Sequence, residues 1–327
     1  MKNILIDDRW SGSGGIGTFA EEINKITNYK SAGFTGKPFS PVDCIKTSLK
    51  MMKMRDGIVF FPGYIPPLFS RVPFVFTIHD LNHLERPENS SLLKKIFYKV
   101  VIKRGCRKAK YIFTVSEFSR QKIIQWSGVP ADKVINVGNG VSDDFRPNGQ
   151  KKDFGYPYYL CVSNRKSHKN EVGTIQAFAR ADIPKNVKLV FTGKKTDELA
   201  TLIEINELTD RVVFTGFVKT EELPELYRGA EGLIFVSFYE GFGLPVIEAM
   251  ASGIPVITSK TTSLGEVAGD AALVVDPENI QQIATAISKL HSDIELKTQL
   301  ISKGSKQVGK YSWSATAELV NKYLTSS

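Results

Sequence analysis

Glu240 and Glu248 flank the segment Gly-Phe-Gly-Leu-Pro-Val-Ile, and the surroundings of these two carboxylates indicate a ligand site. The apolar run Gly232–Phe238 before them is typical of a buried parallel strand. Glu240 is therefore expected at the carboxyl end of a strand, where open α/β sheets bind ligands. Pro245 suits the first turn of a helix, so Glu248 would lie about one turn inside it, among apolar residues. A carboxylate there is costly unless a hydrogen-bond donor meets it, which predicts a polar partner.

His79 and Asp80 come directly after a second apolar run, Pro73–Ile78, which also predicts a strand. Side chains at the carboxyl end of a parallel strand face the ligand side of the sheet. His79 is therefore a candidate to act on a substrate, and Asp80 could orient it or contact an acceptor. A histidine that is buried for structural reasons is the alternative left open by the residues.

The glycine-rich segment Gly12–Gly17 follows the first predicted strand and opens a helix. Its spacing fits the G-x-G-x-x-G fingerprint, which would indicate an NAD-dependent oxidoreductase. That fingerprint needs an acid about 20 residues further on, at the end of the second strand. The segment at that distance is Lys37–Pro41, and no acid comes before Asp43. The other interpretation is a turn whose backbone N–H groups, at Gly14 and Gly15, face an anion at a helix N-terminus.

Strand-like and helical runs alternate along the chain, which predicts an α/β protein of two doubly wound, Rossmann-like domains. The predicted strands are Asn3–Asp7, Gly57–Phe61, Pro73–Ile78, Tyr111–Val115, Lys133–Val137, Tyr158–Val162, Val187–Thr192, Arg211–Thr215, Gly232–Phe238 and Ala272–Val275. The polar and glycine-rich stretch at 138–153 is typical of a linker, so the domains are predicted over 1–150 and 151–311. Residues 30–56 show no pattern that assigns them to an element.

Positive charge is concentrated in the first half, where residues 1–150 carry 23 Lys and Arg against 13 Asp and Glu. In residues 91–110, Lys95, Lys99 and Lys103 recur at helical spacing beside an apolar face, without any acid. These features predict one basic amphipathic helix. Three interpretations of this helix stay open: its basic face is simply solvated, it binds anionic membranes, or it binds a phosphate-bearing substrate. Nucleic acid is not indicated, because no zinc spacing, recognition helix or RNP-type aromatic motif is found.

The composition is that of a globular protein, with 42% hydrophobic and 24% charged residues. No apolar run reaches the roughly 18–20 residues that are needed to cross a bilayer. Cys44, Cys106 and Cys161 show no metal-binding or C-x-x-C spacing, which predicts a reducing, cytoplasmic location.

These segments together resemble the retaining, GT-B-fold glycosyltransferases of family 4. The segment from Glu240 to Glu248 is similar to the family's Glu-x7-Glu signature, down to Gly-Phe-Gly-Leu-Pro and the following Ala-Ser-Gly-Ile-Pro-Val. Further similar segments are Asn139–Val141 between the domains, Thr114–Ser119 after an N-domain strand, and Tyr311–Trp313 at the start of the terminal helix. The resemblance covers most of the chain. It implies two domains facing a cleft, with a C-terminal helix at about 312–327 packing back on the first.

The resemblance also implies roles for the residues already named. Glu240 and His79 would lie at the donor sugar and the reacting centre, and Glu248 would accept hydrogen bonds from the ribose. Lys169 would stabilise the leaving diphosphate with a second cation, for which Arg165 is the candidate. His168 stands where the family often has arginine, so the second cation departs from the pattern. Further donor contacts are expected from Gly14, Gly15, Val218, Gly241, Phe242, Gly243 and Leu244.

The implied reaction is a retaining transfer of a hexose-type sugar from a UDP- or GDP-linked donor to a hydroxyl acceptor. The first domain would bind the acceptor and the second the donor nucleotide. No Asp-x-Asp occurs in the chain, which agrees with a site without metal or cofactor. The basic helix favours a lipid-linked glycan of bacterial surface polysaccharide as acceptor, reached from the cytoplasmic side of the membrane. The alternatives are an NAD-dependent oxidoreductase that uses Gly12–Gly17 and a non-catalytic sugar-nucleotide-binding protein.

Overall fold

The chain folds into two compact units, Met1–Gly140 with Ser312–Ser327 and Val141–Tyr311. The computed structural model describes residues 3–12, 14–40, 42–86 and 90–326. Each unit is built on a six-stranded parallel sheet. The α/β alternation predicted from the sequence is confirmed, with strand ends that differ by a residue or a few.

A parallel sheet forms the core of the first unit, in the order β2-β1-β3-β4-β5-β6 for strands that run as follows. They are Ile4–Ile6 (β1), Lys30–Ser31 (β2), Ile58–Phe61 (β3), Phe74–Thr77 (β4), Tyr111–Thr114 (β5) and Val134–Asn136 (β6). The central strands β3 and β4 are buried along their whole length. Because helices cover both faces of a parallel sheet, its central strands are continuous apolar runs, which made them visible in the sequence.

The helices of the first unit come from both ends of the chain. They are Gly14–Thr27 (α1), Asp43–Met51 (α2), Asn82–Glu85 (α3), Leu92–Phe97 (α4), Lys103–Lys108 (α5), Glu117–Ser127 (α6) and Trp313–Thr325 (α14). The ring centroids of Phe19 in α1 and Trp313 in α14 are 6.2 Å apart. Tyr323 of α14 contacts Tyr111 of β5 at 5.1 Å between centroids. The last helix of the chain is therefore part of the first unit.

The second unit has a sheet of the same kind, in the order β12-β11-β10-β7-β8-β9. Its strands are Tyr158–Cys161 (β7), Lys188–Phe191 (β8), Val212–Phe214 (β9), Gly232–Phe235 (β10), Val256–Ser259 (β11) and Leu273–Val275 (β12). Its helices are Glu171–Arg180 (α7), Asp197–Ile205 (α8), Leu223–Gly229 (α9), Leu244–Ala251 (α10), Ser263–Ala268 (α11), Ile280–Ser292 (α12) and Ile294–Val308 (α13). β10 ends at Phe235 rather than at the predicted Phe238, so the residues before Glu240 form a loop.

The second unit begins at Val141, so the predicted domain boundary at 150 is too late. Arg228 of α9 accounts for the difference. Its guanidinium donates hydrogen bonds to the backbone carbonyls of Gln150 at 2.8 Å and Asp144 at 3.2 Å. The ring of Phe145 also packs on Tyr227, with 5.6 Å between centroids. These contacts fix the polar segment, predicted as a linker, to the second unit.

Residues 91–110 do not form the single regular helix predicted from the sequence. A π-helical turn, Tyr98–Ile102, separates α4 from α5. A π-helix has more residues per turn than an α-helix, so the turn shifts the register of the side chains that follow it. Lys95 and Lys99 are exposed, whereas Lys103 is half-buried with its ammonium 5.9 Å from the ring centroid of Trp126. Lys103 therefore differs in exposure from Lys95 and Lys99, a difference that their regular spacing in the sequence did not indicate.

The apolar residues of this helical segment also divide differently from the prediction. The buried positions in it are Tyr98, Ile102, Gly105, Cys106 and Ala109. The exposed apolar positions are Leu92, Leu93, Ile96 and Val100. The apolar face read from the sequence is thus mostly the solvent face, because the residues that pack on the unit lie on another side. No helix in the described part of the chain combines the length and apolar character that a membrane span requires.

Candidate active site

Glu240 and Glu248 lie on the loop and the helix that follow β10. A turn over Gly241–Gly243 separates Glu240 from the start of α10. Gly243 has φ = +104°, a backbone conformation that favours glycine. A Cβ atom added there would lie 2.4 Å from a side-chain carbon of Leu264. The turn therefore requires glycine on two grounds, and it sets the position of both carboxylates.

Thr262, which precedes α11, and Ser263, its first residue, hold the turn from the other side. The backbone N–H of Glu240 donates to Thr262 Oγ1 at 3.2 Å. Ser263 Oγ donates to the carbonyl oxygens of Glu240 at 2.8 Å and Phe242 at 3.1 Å. Thr262 has φ = +59°, which is uncommon for a β-branched residue. Such a conformation persists where surrounding contacts impose it, and here it lies beside Glu240.

Lys169 and Glu240 form an ion pair, with 2.7 Å between Nζ and Oε1. Both side chains are mostly buried, at 14% and 13% exposure. The Lys169 ammonium also lies 4.9 Å from the centroid of the Phe235 ring. Asn170 positions this loop, because its Nδ2 donates to the carbonyls of Val236 at 3.1 Å and Pro277 at 2.7 Å. The structure thus brings together the lysine and the first glutamate that were singled out in the sequence.

Glu248 accepts a hydrogen bond from a buried tyrosine. The hydroxyl of Tyr227, in α9, donates to Glu248 Oε2 at 2.7 Å. Burial raises the pKa of Glu248 to about 7, while the bond from Tyr227 and the charge of Lys169 act in the opposite direction. Burial and the Glu248 carboxylate together raise the pKa of Tyr227, so its hydroxyl stays protonated and donates. Glu248 is therefore a carboxylate whose charge changes near neutral pH.

Arg165 is held by partners of its own. Its guanidinium pairs with the carboxylate of Glu171 and donates to the carbonyl oxygen of Thr192. It also lies over the rings of Phe191 and Phe214, at 5.4 and 5.1 Å from their centroids. These contacts place Arg165 at the ends of β8 and β9, in contrast to Lys169, which contacts Glu240. His168, in the loop beside Lys169, is buried.

The remaining donor-side candidates line the loops of the same sheet edge. Phe242 is buried, and its ring packs on Tyr311 with 5.4 Å between centroids. The Phe242 side chain therefore packs in the interior of the second unit. Leu244, the first residue of α10, and Val218, in the loop after β9, are half-buried.

His79 lies at the end of β4 in the first unit. Its Nε2 is 2.9 Å from the carbonyl oxygen of Pro62, which can only accept, so Nε2 carries the proton and Nδ1 is the acceptor. Burial lowers the pKa of His79, which favours the neutral ring. The ring meets Phe19 of α1 edge-on, at 5.1 Å between centroids. Asp80 accepts a hydrogen bond at 2.9 Å from the backbone N–H of Asn82, the first residue of α3.

The glycine segment opens α1, whose first residues are Gly14 and Gly15. Gly12 and Gly14 both have positive φ, at +75° and +61°. A Cβ atom on Gly17 would lie 2.9 Å from the carbonyl oxygen of Trp10, so the helix start approaches the preceding turn too closely for a side chain. Since Phe19 of the same helix contacts His79, the helix start and the histidine belong to one edge of the first sheet.

Two family models match this chain. The model described as glycosyl transferases group 1 matches residues 142–307, and the model described as glycosyltransferase family 4 matches residues 55–145. The chain belongs to the family 4, group 1 glycosyltransferases. The match of the first model begins one residue after the start of the second unit, and it includes both glutamates and Lys169.

Two similar bacterial proteins are named as mannosyltransferases of O-antigen chains. The O-antigen chain mannosyltransferase B of Escherichia coli is 32% identical to this glycosyltransferase, over 82% of this chain and 74% of its own. The O-antigen chain mannosyltransferase RfbU of Salmonella typhimurium is 30% identical, over 77% of this chain and 69% of its own. These findings give no support to the alternatives of an NAD-dependent oxidoreductase or a non-catalytic binding protein.

Solved structures identify the fold of the glycosyltransferase. HepE of Anabaena, solved in complex with UDP and glucose, matches with a TM-score of 0.82, 19% identity and full coverage of both chains. WaaG, a glycosyltransferase involved in lipopolysaccharide biosynthesis, matches with a TM-score of 0.77 and 13% identity, over 99% of this chain and 100% of its own. The predicted GT-B fold with its two Rossmann-like domains is confirmed.

Several residues of the site were not identified from the sequence. Tyr227, Thr262 and Ser263 contact the two-glutamate segment, yet they lie on separate elements of the chain. The expected cost of a carboxylate in an apolar helix was the one signal for Tyr227, since it required a donor to Glu248 without naming it. Nothing in the spacing of Thr262 or Ser263 indicated that they would hold the turn.

Proposed function

We propose that this glycosyltransferase retains the configuration of the transferred sugar and works without a metal ion. The observation that carries the proposal is the ion pair between Lys169 and Glu240, 2.7 Å long, at the end of β10. It places a fixed positive charge next to the carboxylate that the family signature assigns to the donor sugar. A cation fixed in a partly buried site stabilises the charge that develops on a leaving diphosphate. The missing Asp-x-Asp motif supports the metal-independent form of the proposal.

Donor binding is assigned to the second unit. Glu248 would accept hydrogen bonds from the ribose hydroxyls of the nucleotide, since ionised carboxylates are strong acceptors. The hydrogen bond from Tyr227 favours the ionised form and fixes the direction of the carboxylate. The glycine turn at Gly241–Gly243 and the loop that contains Val218 are proposed to contact the rest of the donor. Arg165 is proposed as the second cation at the diphosphate. In this structure its guanidinium pairs with the carboxylate of Glu171.

The proposed chemistry needs no nucleophilic side chain. The bond between the sugar's anomeric carbon and the diphosphate oxygen breaks, and the acceptor oxygen attacks from the same face. The hydroxyl proton passes to the leaving phosphate oxygen, so configuration is retained. His79 is proposed near the reacting centre, where its neutral ring, protonated at Nε2, leaves Nδ1 as an acceptor. Because the ring is neutral, it adds no positive charge there.

The donor is proposed to be a UDP- or GDP-linked hexose. Two of the relatives reported above are named as mannosyltransferases of O-antigen chains, which favours mannose as the transferred sugar. The acceptor is proposed to be a hydroxyl of a lipid-linked glycan in the assembly of a bacterial surface polysaccharide. The first unit would bind that acceptor, with Asp80 as a candidate contact.

A location at the cytoplasmic face of the membrane follows from this acceptor. The exposed Lys95 and Lys99 support a contact with anionic lipid, because each basic residue near such a surface contributes about 1 kcal/mol. The described cysteines, all buried and unbridged, agree with a reducing compartment.

A donor panel tests the proposed function. Purified protein is incubated with GDP-mannose and with UDP- and GDP-linked hexoses, with and without a lipid-linked acceptor, and the released nucleotide is measured. We expect acceptor-dependent release from one donor, the same rate with EDTA, and a product whose NMR coupling constants show the configuration of the donor. A strict requirement for Mg²⁺ or Mn²⁺ would refute metal independence, and an inverted product would refute retention.

A further inference from the structure

Helix α2 is partly inverted, because it buries three polar side chains beside Cys44 and Met51 and exposes a row of apolar side chains to solvent. Its buried residues are Asp43, Cys44, Thr47, Ser48 and Met51. The exposed apolar residues at its start, along it and just after it are Val42, Ile45, Leu49 and Met52, with Leu49 exposed to 57%. A helix of a water-soluble protein normally turns its apolar stripe to the core. A contiguous apolar patch in solvent marks a surface that contacts a partner or a membrane.

A polar network fixes α2 in this orientation. The Arg9 guanidinium donates to both carboxylate oxygens of Asp43, at 2.7 and 2.9 Å. Thr47 Oγ1 donates to the same carboxylate at 3.1 Å. Ser48 Oγ accepts from the backbone N–H of Leu68 at 2.8 Å. Rotating α2 to bury its apolar residues would leave these buried groups without partners, which is costly. The outward apolar face is therefore built into the first unit.

A second exposed apolar row lies on α4 and the π-helical turn. Its residues are Leu92, Leu93, Ile96 and Val100, with Leu92 exposed to 74% and Leu93 to 80%. Helix α2 and helix α5, which continues the helical segment that carries the second row, both pack on the loop after β3. Ser48 of α2 holds this loop at Leu68, and a Cβ atom on Gly105 of α5 would lie 2.2 Å from Pro66. Phe69 of the same loop is exposed as well.

The charges around these rows have one sign. Residues 44–55 and 91–110 contain no Asp or Glu. Lys46 and Lys53 are exposed beside the row on α2, and Lys95 and Lys99 are exposed beside the second row. Exposed apolar side chains among lysines are the combination that binds anionic bilayers, through insertion of the apolar groups and attraction to the headgroups. If a second copy of this chain bound through the same surface, the lysines of the two copies would face each other, and their repulsion would disfavour the dimer.

We propose that α2 and the α4 segment form one docking surface for an anionic lipid bilayer, with α2 inserting its apolar face. The docking surface consists of Val42, Ile45, Leu49, Met52, Phe69, Leu92, Leu93, Ile96 and Val100. The inference extends the membrane location given under the proposed function and rests on it for its purpose. It adds α2 to the basic helix already considered, and α2 lies in residues 30–56, which the sequence patterns did not assign to an element. A lipid-linked acceptor would then be met at the surface to which the first unit is bound.

Insertion of α2 is tested with a tryptophan at its centre. The variant Leu49→Trp is mixed with vesicles of phosphatidylcholine containing phosphatidylglycerol, and its emission is compared with that of the unmodified protein. We expect a shift to shorter wavelength and quenching by brominated acyl chains, because interfacial helices sit about 5–10 Å deep. The matched control is Ile205→Trp in the second unit, a position 74% exposed, whose emission is expected to stay unchanged. Unchanged emission of Leu49→Trp on vesicles that bind the protein would overturn the role of α2.

The contribution of α2 to binding is tested by removing its apolar face. The triple variant Ile45→Ser, Leu49→Ser, Met52→Ser is expected to bind these vesicles at least about tenfold more weakly, since binding scales with buried apolar area. The control Ile205→Ser, Ile294→Ser alters two exposed apolar residues of the second unit and is expected to bind normally. Equal binding of the triple variant and the unmodified protein would overturn the inference.

Two further measurements separate this inference from its alternatives. Sedimentation of the unmodified protein as a dimer that the triple variant abolishes would show that a second copy covers the surface, and would overturn the bilayer as occupant. Turnover of a short, water-soluble acceptor is followed in the same variants. An active enzyme that ignores anionic vesicles at low salt would overturn the docking surface and leave the glycosyl transfer intact. Vesicle binding without any turnover would overturn the proposed function instead.

Discussion

At the residue scale, the site rests on two contacts that join groups from different elements of the second unit. Lys169 Nζ lies 2.7 Å from Glu240 Oε1, and Tyr227 Oη lies 2.7 Å from Glu248 Oε2. In each contact a glutamate of the two-carboxylate segment accepts a hydrogen bond from a side chain elsewhere in the second unit. The first contact places a positive charge beside Glu240, where the diphosphate is proposed to leave, and the second favours the ionised form of the group proposed to bind ribose.

Replacing Lys169 with Gln is expected to lower kcat by roughly 10²–10³-fold, the usual effect of removing one group that stabilises developing charge. Donor affinity should change less than kcat, because the charge on the diphosphate grows in the transition state. Stopped-flow or steady-state kinetics with separate determination of the donor Kd checks this split. A variant that loses donor affinity while kcat is preserved would contradict the role of Lys169.

Arg165→Gln is the comparison for Lys169, because Arg165 is paired with Glu171. Breaking a partly buried ion pair leaves Glu171 without its partner, so we expect a lower Tm. If Arg165 also acts as the second cation, kcat falls beyond what the loss of folded protein explains. Thermal unfolding and kinetics at a temperature well below Tm separate the two effects.

The pKa of Glu248, about 7, predicts that nucleotide affinity depends on pH. Ribose hydroxyls donate to the ionised carboxylate, so binding is weaker where Glu248 is protonated. Affinity should therefore rise as the pH increases through 7 and level off above it. Glu248→Ala is expected to weaken binding by roughly 1.5–3 kcal/mol at pH 8, the contribution of hydrogen bonds to a charged group. Isothermal titration between pH 6 and pH 8.5 measures both effects.

Two variants isolate Glu248 from the titration of the nucleotide itself. Glu248→Gln should remove the enzyme's part of the pH dependence and leave that of the ligand. Tyr227→Phe should move the midpoint to higher pH, because it removes a hydrogen bond that lowers the pKa of Glu248. A midpoint that stays in place in Tyr227→Phe would show that Tyr227 does not set the charge of Glu248.

At the element scale, the unit formed by β10, the glycine turn and α10 positions both glutamates. The turn follows the strand's carboxyl end, and Thr262 and Ser263 at the start of α11 hold its backbone. Because Gly243 has positive φ and contacts Leu264 closely, the geometry of the turn depends on the absence of a side chain. Helix α2 depends on tertiary contacts in a different way, since Arg9 and the loop after β3 determine which of its faces is buried.

Gly243→Ala is expected to destabilise the protein by more than the conformational penalty alone. A positive φ costs an L-residue about 1–2 kcal/mol, and overpacking against Leu264 adds roughly 1–3 kcal/mol. Gly155→Ala is the matched control, because Gly155 has φ = +76° with no atom within 4 Å of an added Cβ. Urea unfolding of both variants measures the difference, and equal losses of stability would contradict a role for the Leu264 contact.

At the scale of the whole molecule, the chain builds the first unit, then the second, and returns to the first with α14. Trp313 at the start of α14 is buried, and its ring lies 6.2 Å from that of Phe19. Phe19 also contacts His79, so the last helix supports the helix that lies against the candidate catalytic histidine. Helix α14 therefore helps to position α1 within the first unit.

Trp313→Ala is expected to lower the stability of the first unit by roughly 3–5 kcal/mol, the usual cost of removing a buried aromatic side chain. Differential scanning calorimetry should show a lower transition temperature for the first unit, while nucleotide binding by the second unit stays near its normal value. Ile294→Ala, at an exposed position of α13, is the control and should leave both unchanged. A uniform loss across both units would contradict the assignment of α14 to the first.

The fold class, the central strands and the two-glutamate segment could be predicted from the order of the residues alone. β3, β4 and β10 were visible because a strand covered on both faces is apolar throughout, and this is a property of adjacent residues. The glycines and proline around Glu240 and Glu248 act on their own backbone, so their effect is also local. Lys169 and His79 were found because each follows a strand or stands in a family motif.

Which helix faces are buried and which distant side chains meet became known only from the folded arrangement. The sequence predicted an apolar face on residues 91–110 but not that Leu92 and Leu93 face solvent, because the π-helical turn and the packing of Tyr98 set the rotation. It gave no sign that α2 is partly inverted, since that depends on Arg9 contacting Asp43 across a long stretch of chain. The donor to Glu248 and the partner of Arg165 were undetermined for the same reason. Hydrogen bonds and ion pairs between distant segments arise from the folded arrangement, and the local pattern that predicts helices and strands carries no record of them.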